Sequence, residues 1–138
     1  MKRFVRFFEL SRQEQRLLLE CGFFVSLAAL AVAVLPFSTL QRWGARKPRA
    51  VRAKSAPESQ ICWAITASGR VVPGSTCLAE ALATQLIMRR HGYDPVIRVG
   101  VCKADAGDFT AHAWVESEGR IIAGGNESLE KYDEILVF

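Results

Sequence analysis

The sequence lacks several features that would assign a function directly. It contains no Cys-x-x-Cys pair, no internal repeat and no low-complexity tract. Because no such pair is present, the four cysteines at positions 21, 62, 77 and 102 indicate neither a zinc site nor a thioredoxin-type redox motif. A convincing secretory signal is also absent, so we expect a reducing compartment and free thiols. We predict a cytoplasmic protein that uses no metal and no other cofactor.

Charge is distributed unevenly along the chain. Its 138 residues are enough for one domain with a hydrophobic core, but not for two ordinary domains. Residues 1–55 carry a net charge of +8, whereas residues 56–138 carry −4. We therefore predict an N-terminal apolar helical region with a basic linker at 1–54 and a compact domain at 55–138. The basic front half suits a membrane surface or a partner protein, or is simply a solvated face; we expect no nucleic-acid partner.

An apolar run dominates the front half. Ser11 and Glu14 have the spacing of a capping box, which predicts a helix that begins near Arg12. The helix continues into CGFFVSLAALAVAVLPFSTL, residues 21–40, which contains no charged side chain and is about long enough to span a bilayer. Pro36 interrupts the run. One interpretation is a helical hairpin or bent helix that packs on the domain or on a partner protein, and the other is a segment in contact with a membrane. Residues 41–54 are predicted to form an exposed linker.

Two helices are predicted at the start of the compact domain. ESQICWAITASG has helical spacing, and VVPGST then forms a turn in which Ser75 or Thr76 offers an N-cap. The next helix begins at Cys77, and its predicted apolar stripe consists of Leu78, Leu82 and Leu86. In the first turn of a helix, unpaired N–H groups and the helix dipole stabilise a thiolate, so Cys77 is a candidate nucleophile. The alternative is an ordinary buried thiol.

Alternating patterns predict four strands after these helices, in PVIRVGVC, TAHAWVE, RIIAGG and EILVF. Helices followed by an antiparallel meander indicate an α+β fold. In the second strand, His112, Trp114 and Glu116 share one face, while the intervening small and branched residues share the other. If the sheet packs against the Cys77 helix, His112 is placed to take the thiol proton. A structural histidine is the alternative.

A longer set of motifs resembles a known family. The segments WAI at 63–65, VPGSTCLAEAL at 72–82, RRHG, VIRVGV and AHAWVE follow one another as in the stand-alone protease component, or B protein, of lasso-peptide biosynthesis. That family is similar to the transglutaminase-like cysteine proteases, in which a helix that carries the cysteine packs on an antiparallel sheet in a papain-like core. The resemblance covers residues 56–138. The front half resembles the family more loosely, through EQRLLLE and LPF, which favours a packed helix over a bilayer span.

The resemblance implies a leader peptidase. Carried over to this sequence, Cys77 is the nucleophile, and His112 is the general base and later the acid that protonates the leaving amine. The family has an Asp as third member, and no Asp follows the turn in RIIAGGNESLE. Asn126 is the first candidate for that role and Glu127 the second, with a Cys–His dyad as the alternative. The backbone N–H of Cys77 is the expected oxyanion donor.

Partners follow from the same resemblance. We expect a ribosomally made precursor peptide as substrate, a separate leader-binding recognition protein, and an ATP-dependent cyclase that uses the released core. Two other functions stay open. One is a transglutaminase-like acyl transferase, whose thioester is taken by an amine rather than by water. The other is a catalytically idle module that binds the precursor and is held at the membrane by residues 21–40.

Overall fold

The computed structural model describes residues 6–46, 53–103, 107–125 and 129–138. Within these ranges, four α-helices of nine or more residues precede a four-stranded antiparallel sheet, so the predicted α+β class is confirmed. The helices are α1 (Arg12–Val34), α2 (Phe37–Ala45), α3 (Glu58–Gly69) and α4 (Cys77–Arg90), and the strands are β1 (Val96–Lys103), β2 (Phe109–Ser117), β3 (Arg120–Ala123) and β4 (Asp133–Val137), with a 3-10 turn at Leu129–Lys131 before β4.

Helix α1 begins where its capping box predicts. The Ser11 hydroxyl accepts a hydrogen bond from the Glu14 backbone N–H at 3.2 Å, and the Glu14 carboxylate accepts one from the Ser11 N–H at 2.9 Å. Both bonds satisfy N–H groups that have no partner inside the helix. The helix stops at Val34, because Pro36 restricts the residue before it and lacks an N–H group.

The prediction of a linker from residue 41 was wrong for its first five residues, which belong to α2. The reason is packing: Leu40 and Gly44 are buried. A Cβ atom at Gly44 would lie 2.5 Å from the ring of Phe138, so the glycine lets the end of the chain pack directly on α2. Burial of Leu40 and Gly44 therefore extends the helix to Ala45, although the exposed polar and basic side chains in this segment are typical of a linker.

Helix α4 lies at the centre of the molecule, in contact with α1, α3 and the sheet. It is buried on most sides, and its buried residues are Ala79, Ala81, Leu82, Ala83, Thr84, Gln85, Ile87 and Met88. The predicted stripe of Leu78, Leu82 and Leu86 was therefore wrong: Leu86 is 44% exposed, while polar Gln85 beside it is 1% exposed. A helix that packs on three sides does not bury a single stripe.

The sheet has the strand order β3-β2-β1-β4, with every neighbouring pair antiparallel. Strands β1 to β3 form the predicted meander. The fourth strand differs from that prediction, because it pairs with β1 at the opposite edge instead of continuing next to β3. Pairing on both sides makes β1 a central strand, and Ile97 exchanges two backbone hydrogen bonds with Phe138.

Helix α1 shares the core of the later half of the chain. Leu17, Cys21, Val25 and Ala28 are buried together with residues of α3, α4 and the sheet. Beside this apolar contact, Glu20 accepts one hydrogen bond from Arg90 at 2.8 Å and pairs with His91 at 3.3 Å. Apolar burial and a partly buried ion pair both hold α1 against the helix that carries Cys77.

Candidate active site

Cys77 is the first residue of α4. Thr76 is the N-cap, and its hydroxyl accepts a hydrogen bond from the Ala79 backbone N–H at 3.2 Å. This cap fixes the start of the helix. Because helix geometry provides no acceptor for the first backbone N–H groups, those of Cys77 and Leu78 are available to an incoming group. The Cys77 thiol thus lies where the positive end of the helix dipole favours negative charge.

His112 lies in the middle of β2, opposite Gly100 of β1. Its Nε2 atom is 2.7 Å from the carbonyl oxygen of Gly124. A carbonyl oxygen only accepts hydrogen bonds, so Nε2 must carry the proton and donate it. In the neutral ring, Nδ1 is then the nitrogen that has a free lone pair and can act as a base.

Two aromatic rings hold the imidazole in place. Trp114 stacks on His112 with 6.2 Å between ring centroids, and the Tyr132 ring lies 5.4 Å away in a tilted arrangement. The Trp114 indole N–H donates to Glu116 at 3.1 Å, which fixes that ring in turn. A Cβ atom at Gly100 would lie 2.8 Å from Tyr132 Cβ and 3.1 Å from Trp114, so glycine there makes room for both rings.

Cys77 and His112 line the same open pocket, which has a volume of about 190 Å³. Glu80 adds a carboxylate to the lining, and its Oε1 accepts a hydrogen bond from the Ser75 hydroxyl at 3.1 Å. Within the described residues, no hydrogen bond joins the Cys77 sulfur to the His112 ring. Catalytic hydrogen bonds often form only when substrate is bound, so the shared pocket is the informative observation.

The predicted third member, Asn126, and the second candidate, Glu127, lie outside the described residues. Among the residues that the structure does describe, the Gly124 carbonyl is the group that binds the imidazole N–H. Gly124 has a φ of +81°, and a Cβ atom there would lie 2.7 Å from the Ala113 carbonyl oxygen. Both constraints favour glycine. The sequence analysis did not predict this contact. The two consecutive glycines after β3 were the sequence feature that could have indicated it.

Two of the other three cysteines lie in different surroundings from Cys77. Cys21 is fully buried, and burial, together with the charge of Glu20, raises the pKa of its thiol to about 12. Burial also raises the pKa of Cys62, whose Sγ donates to the Ile122 carbonyl at 3.1 Å. A thiol that stays protonated is a poor nucleophile. Cys21 and Cys62 are therefore structural, whereas Cys77 opens onto the pocket.

Comparison with known proteins supports the fold. The model of one protein family, described as the transglutaminase-like superfamily, matches residues 22–137. No significant match was found among curated proteins or among solved structures. The matched region includes α1 from Gly22 onward, all later helices and the whole sheet. It also contains Cys77, His112 and Gly124. The chain belongs to the transglutaminase-like superfamily, whose members typically are cysteine peptidases or transferases.

Proposed function

We propose that the protein is the leader peptidase of a lasso-peptide pathway, a cysteine hydrolase that separates leader from core in a ribosomally made precursor. The observation that carries the proposal is the shared pocket of Cys77 and His112, with the cysteine at a helix N-terminus. Family membership supports thiol-dependent acyl chemistry. The choice of a lasso precursor rests on the resemblance of VPGSTCLAEAL and AHAWVE to the B proteins.

The first step is acylation of Cys77. Nδ1 of His112 takes the thiol proton while the sulfur attacks the carbonyl carbon that joins leader to core. The oxyanion that forms accepts hydrogen bonds from the backbone N–H groups at the start of α4. His112 then returns the proton to the amine, so the core leaves with a free amino group and the leader stays bound as a thioester.

The second step is hydrolysis. Water attacks the thioester carbonyl with His112 as base, which releases the leader carboxylate and restores the Cys77 thiol. Because Nε2 keeps its proton in the hydrogen bond to the Gly124 carbonyl, Nδ1 is the nitrogen that takes and returns the proton in both steps. The released core amine is the group that a separate ATP-dependent cyclase would join to a side-chain carboxyl. A separate leader-binding protein would present the precursor.

The experiment that tests the proposal follows leader release by mass spectrometry. The purified protein is incubated with its neighbouring precursor peptide and leader-binding partner, beside a Cys77→Ala variant. We expect Cys77→Ala to lower turnover at least about a thousandfold, because the nucleophile is lost. Cys102→Ala is the matched control: Cys102 is a free, half-buried thiol on β1 that does not line the pocket.

The masses also distinguish the competing activities. Hydrolysis gives two products whose masses add up to that of the precursor plus one water, whereas acyl transfer to an amine adds no water. Cleavage by Cys77→Ala at the wild-type rate would remove Cys77 from the mechanism. If the wild-type protein does not cleave the precursor although it binds it, the protein is a binding module rather than a peptidase.

A further inference from the structure

Helix α1 has two apolar faces, of which the fold uses one. The buried face consists of Leu17, Cys21, Val25 and Ala28. A second line of apolar side chains with the same helical spacing is exposed to solvent; this outer stripe consists of Leu19, Phe23, Leu27, Leu30 and Val34. Exposure of these side chains ranges from 48% at Leu27 to 68% at Val34. One apolar face is enough to dock a helix, so the outer stripe needs another explanation.

The outer stripe is flanked by cationic side chains. Toward the N-terminus, Arg12 and Arg16 are exposed and continue the stripe, since they precede Leu19 by seven and three residues. Beyond the C-terminal end of the stripe, two more arginines are exposed: Arg42 in α2 and Arg46, the C-cap of α2. No acidic residue occurs between positions 21 and 54. An apolar stripe with cationic ends is complementary to a surface that is apolar inside and anionic outside.

The apolar surface extends from α1 onto neighbouring helices. Trp43 on α2 is 52% exposed and Leu86 on α4 is 44% exposed. Together with Leu27 they border a shallow apolar groove between the three helices. The surface is therefore a continuous patch wider than one helix. Trp43 follows Arg42 directly in the chain. Indole rings favour the boundary between lipid headgroups and acyl chains, so a tryptophan next to an arginine suits that boundary.

Hydropathy alone would also permit a membrane span. Within the described parts of the chain, α1 is the one helix long and apolar enough to cross a bilayer, and its most apolar 18-residue window has a mean hydropathy of 2.3. However, the buried face of α1 is part of the core, and Glu20 pairs with Arg90 and His91 at the far end of α4. A span would take this ion pair out of water and expose the core to lipid.

We propose that the outer stripe inserts into the surface of an anionic lipid bilayer, with α1 parallel to the membrane plane. Phe23, Leu27 and Leu30 then reach the acyl chains, and Arg12 and Arg16 contact lipid phosphates. The buried face stays packed on α4, so the protein binds the membrane without spanning it and without unfolding. This inference does not depend on the substrate of the Cys77 pocket.

The test is flotation of the purified full-length protein with lipid vesicles. One set contains phosphatidylcholine alone, and the other contains equal parts of phosphatidylcholine and phosphatidylglycerol. We expect the protein to float with the anionic vesicles. The triple variant Phe23→Gln, Leu27→Gln, Leu30→Gln is expected to lower the partition coefficient at least about tenfold, because its apolar side chains no longer enter the bilayer.

Two further variants separate apolar insertion from charge and from general surface polarity. Arg12→Gln with Arg16→Gln is expected to lower binding to anionic vesicles about 30-fold and to leave binding to neutral vesicles unchanged. Val71→Gln with Ile135→Gln is the matched control, since both side chains are exposed, at 66% and 60%, and lie outside the patch. This control is expected to bind like the wild type.

Several outcomes would overturn the proposal. Absence of wild-type binding to anionic vesicles would do so, as would equal binding by the triple variant. If the triple variant instead changes the protein from dimer to monomer in size-exclusion chromatography, the patch joins two copies of the chain. If it only weakens association with the leader-binding protein, the patch is a protein interface. Circular dichroism of each variant verifies that the helices are retained.

Discussion

Helix α1 is the more hydrophobic of the two long helices that pack against each other, yet α4 is the more completely buried. Only 22% of the most apolar 18-residue window of α1 is buried. In α4, by contrast, even Thr84 and Gln85 are hidden from solvent. Position in the fold, and not hydropathy, therefore decides which helix is enclosed.

The buried polar side chains of α4 have partners. The Thr84 hydroxyl donates to the Glu80 carbonyl at 2.6 Å, and the Gln85 amide donates to the Phe138 carbonyl at 3.1 Å. A buried polar group that is hydrogen-bonded costs little, and Gln85 ties the central helix to the end of the chain. Helix α1 has the opposite arrangement, with apolar side chains on a surface where no part of the described chain covers them.

The largest expected difference between the two helices is in thiol reactivity. With a pKa of about 12, roughly one Cys21 in ten thousand is a thiolate at pH 8, and the side chain is fully buried. Cys77 opens onto the pocket. We expect iodoacetamide to modify Cys77 at least about a thousandfold faster, measured by peptide mass spectrometry in time-resolved labelling. Equal rates would mean that α1 detaches from the core.

The next prediction concerns the backbone that supports His112. Gly124→Ala places a side chain where φ is +81° and a Cβ would meet the Ala113 carbonyl, so the Gly124 carbonyl must move. We expect kcat for precursor cleavage to fall about tenfold to a hundredfold, with little change in KM, and the free energy of unfolding to fall by about 1–3 kcal/mol.

Gly119→Ala is the matched control for this substitution. Gly119 has a similar φ of +77°, but a Cβ atom there would meet nothing within 4 Å. It lies in the turn between β2 and β3, outside the residues that line the pocket. We expect a loss of stability with unchanged kcat. If both variants lose activity equally, the Gly124 carbonyl does not position the imidazole.

The prediction with the smallest expected effect concerns the free energy of unfolding and compares two neighbouring positions of α4. Gln85→Leu removes the side-chain amide donor of the Phe138 carbonyl, which keeps its hydrogen bond from the Ile97 N–H, and we expect the free energy of unfolding to fall by about 0.5–1.5 kcal/mol. Leu86→Gln changes a side chain that is 44% exposed, with an expected effect within about 0.5 kcal/mol. Urea unfolding measures both. A larger cost at Leu86 would contradict the burial pattern of α4.

Local features of the fold were predictable. The capping box at Ser11 and Glu14 marks the start of α1, and the turn at 72–76 places Cys77 first in α4. These signals act over a few residues, so they depend little on the rest of the molecule. The strand positions followed from alternation for the same reason. The division of the chain at residue 55 and the roles of Cys77, His112 and Asn126 stay predictions.

The sequence by itself determined where α1, α3, α4 and the strands lie, and it singled out Cys77 and His112, because capping, turn and alternation patterns are local; the extent of α2 depended on packing. Only the tertiary structure decided which faces are buried, which edge of β1 receives β4, and that the Gly124 carbonyl accepts the His112 N–H. Those contacts join residues distant in the chain. A backbone carbonyl, moreover, is present at every residue, so no side-chain pattern identifies the one that binds.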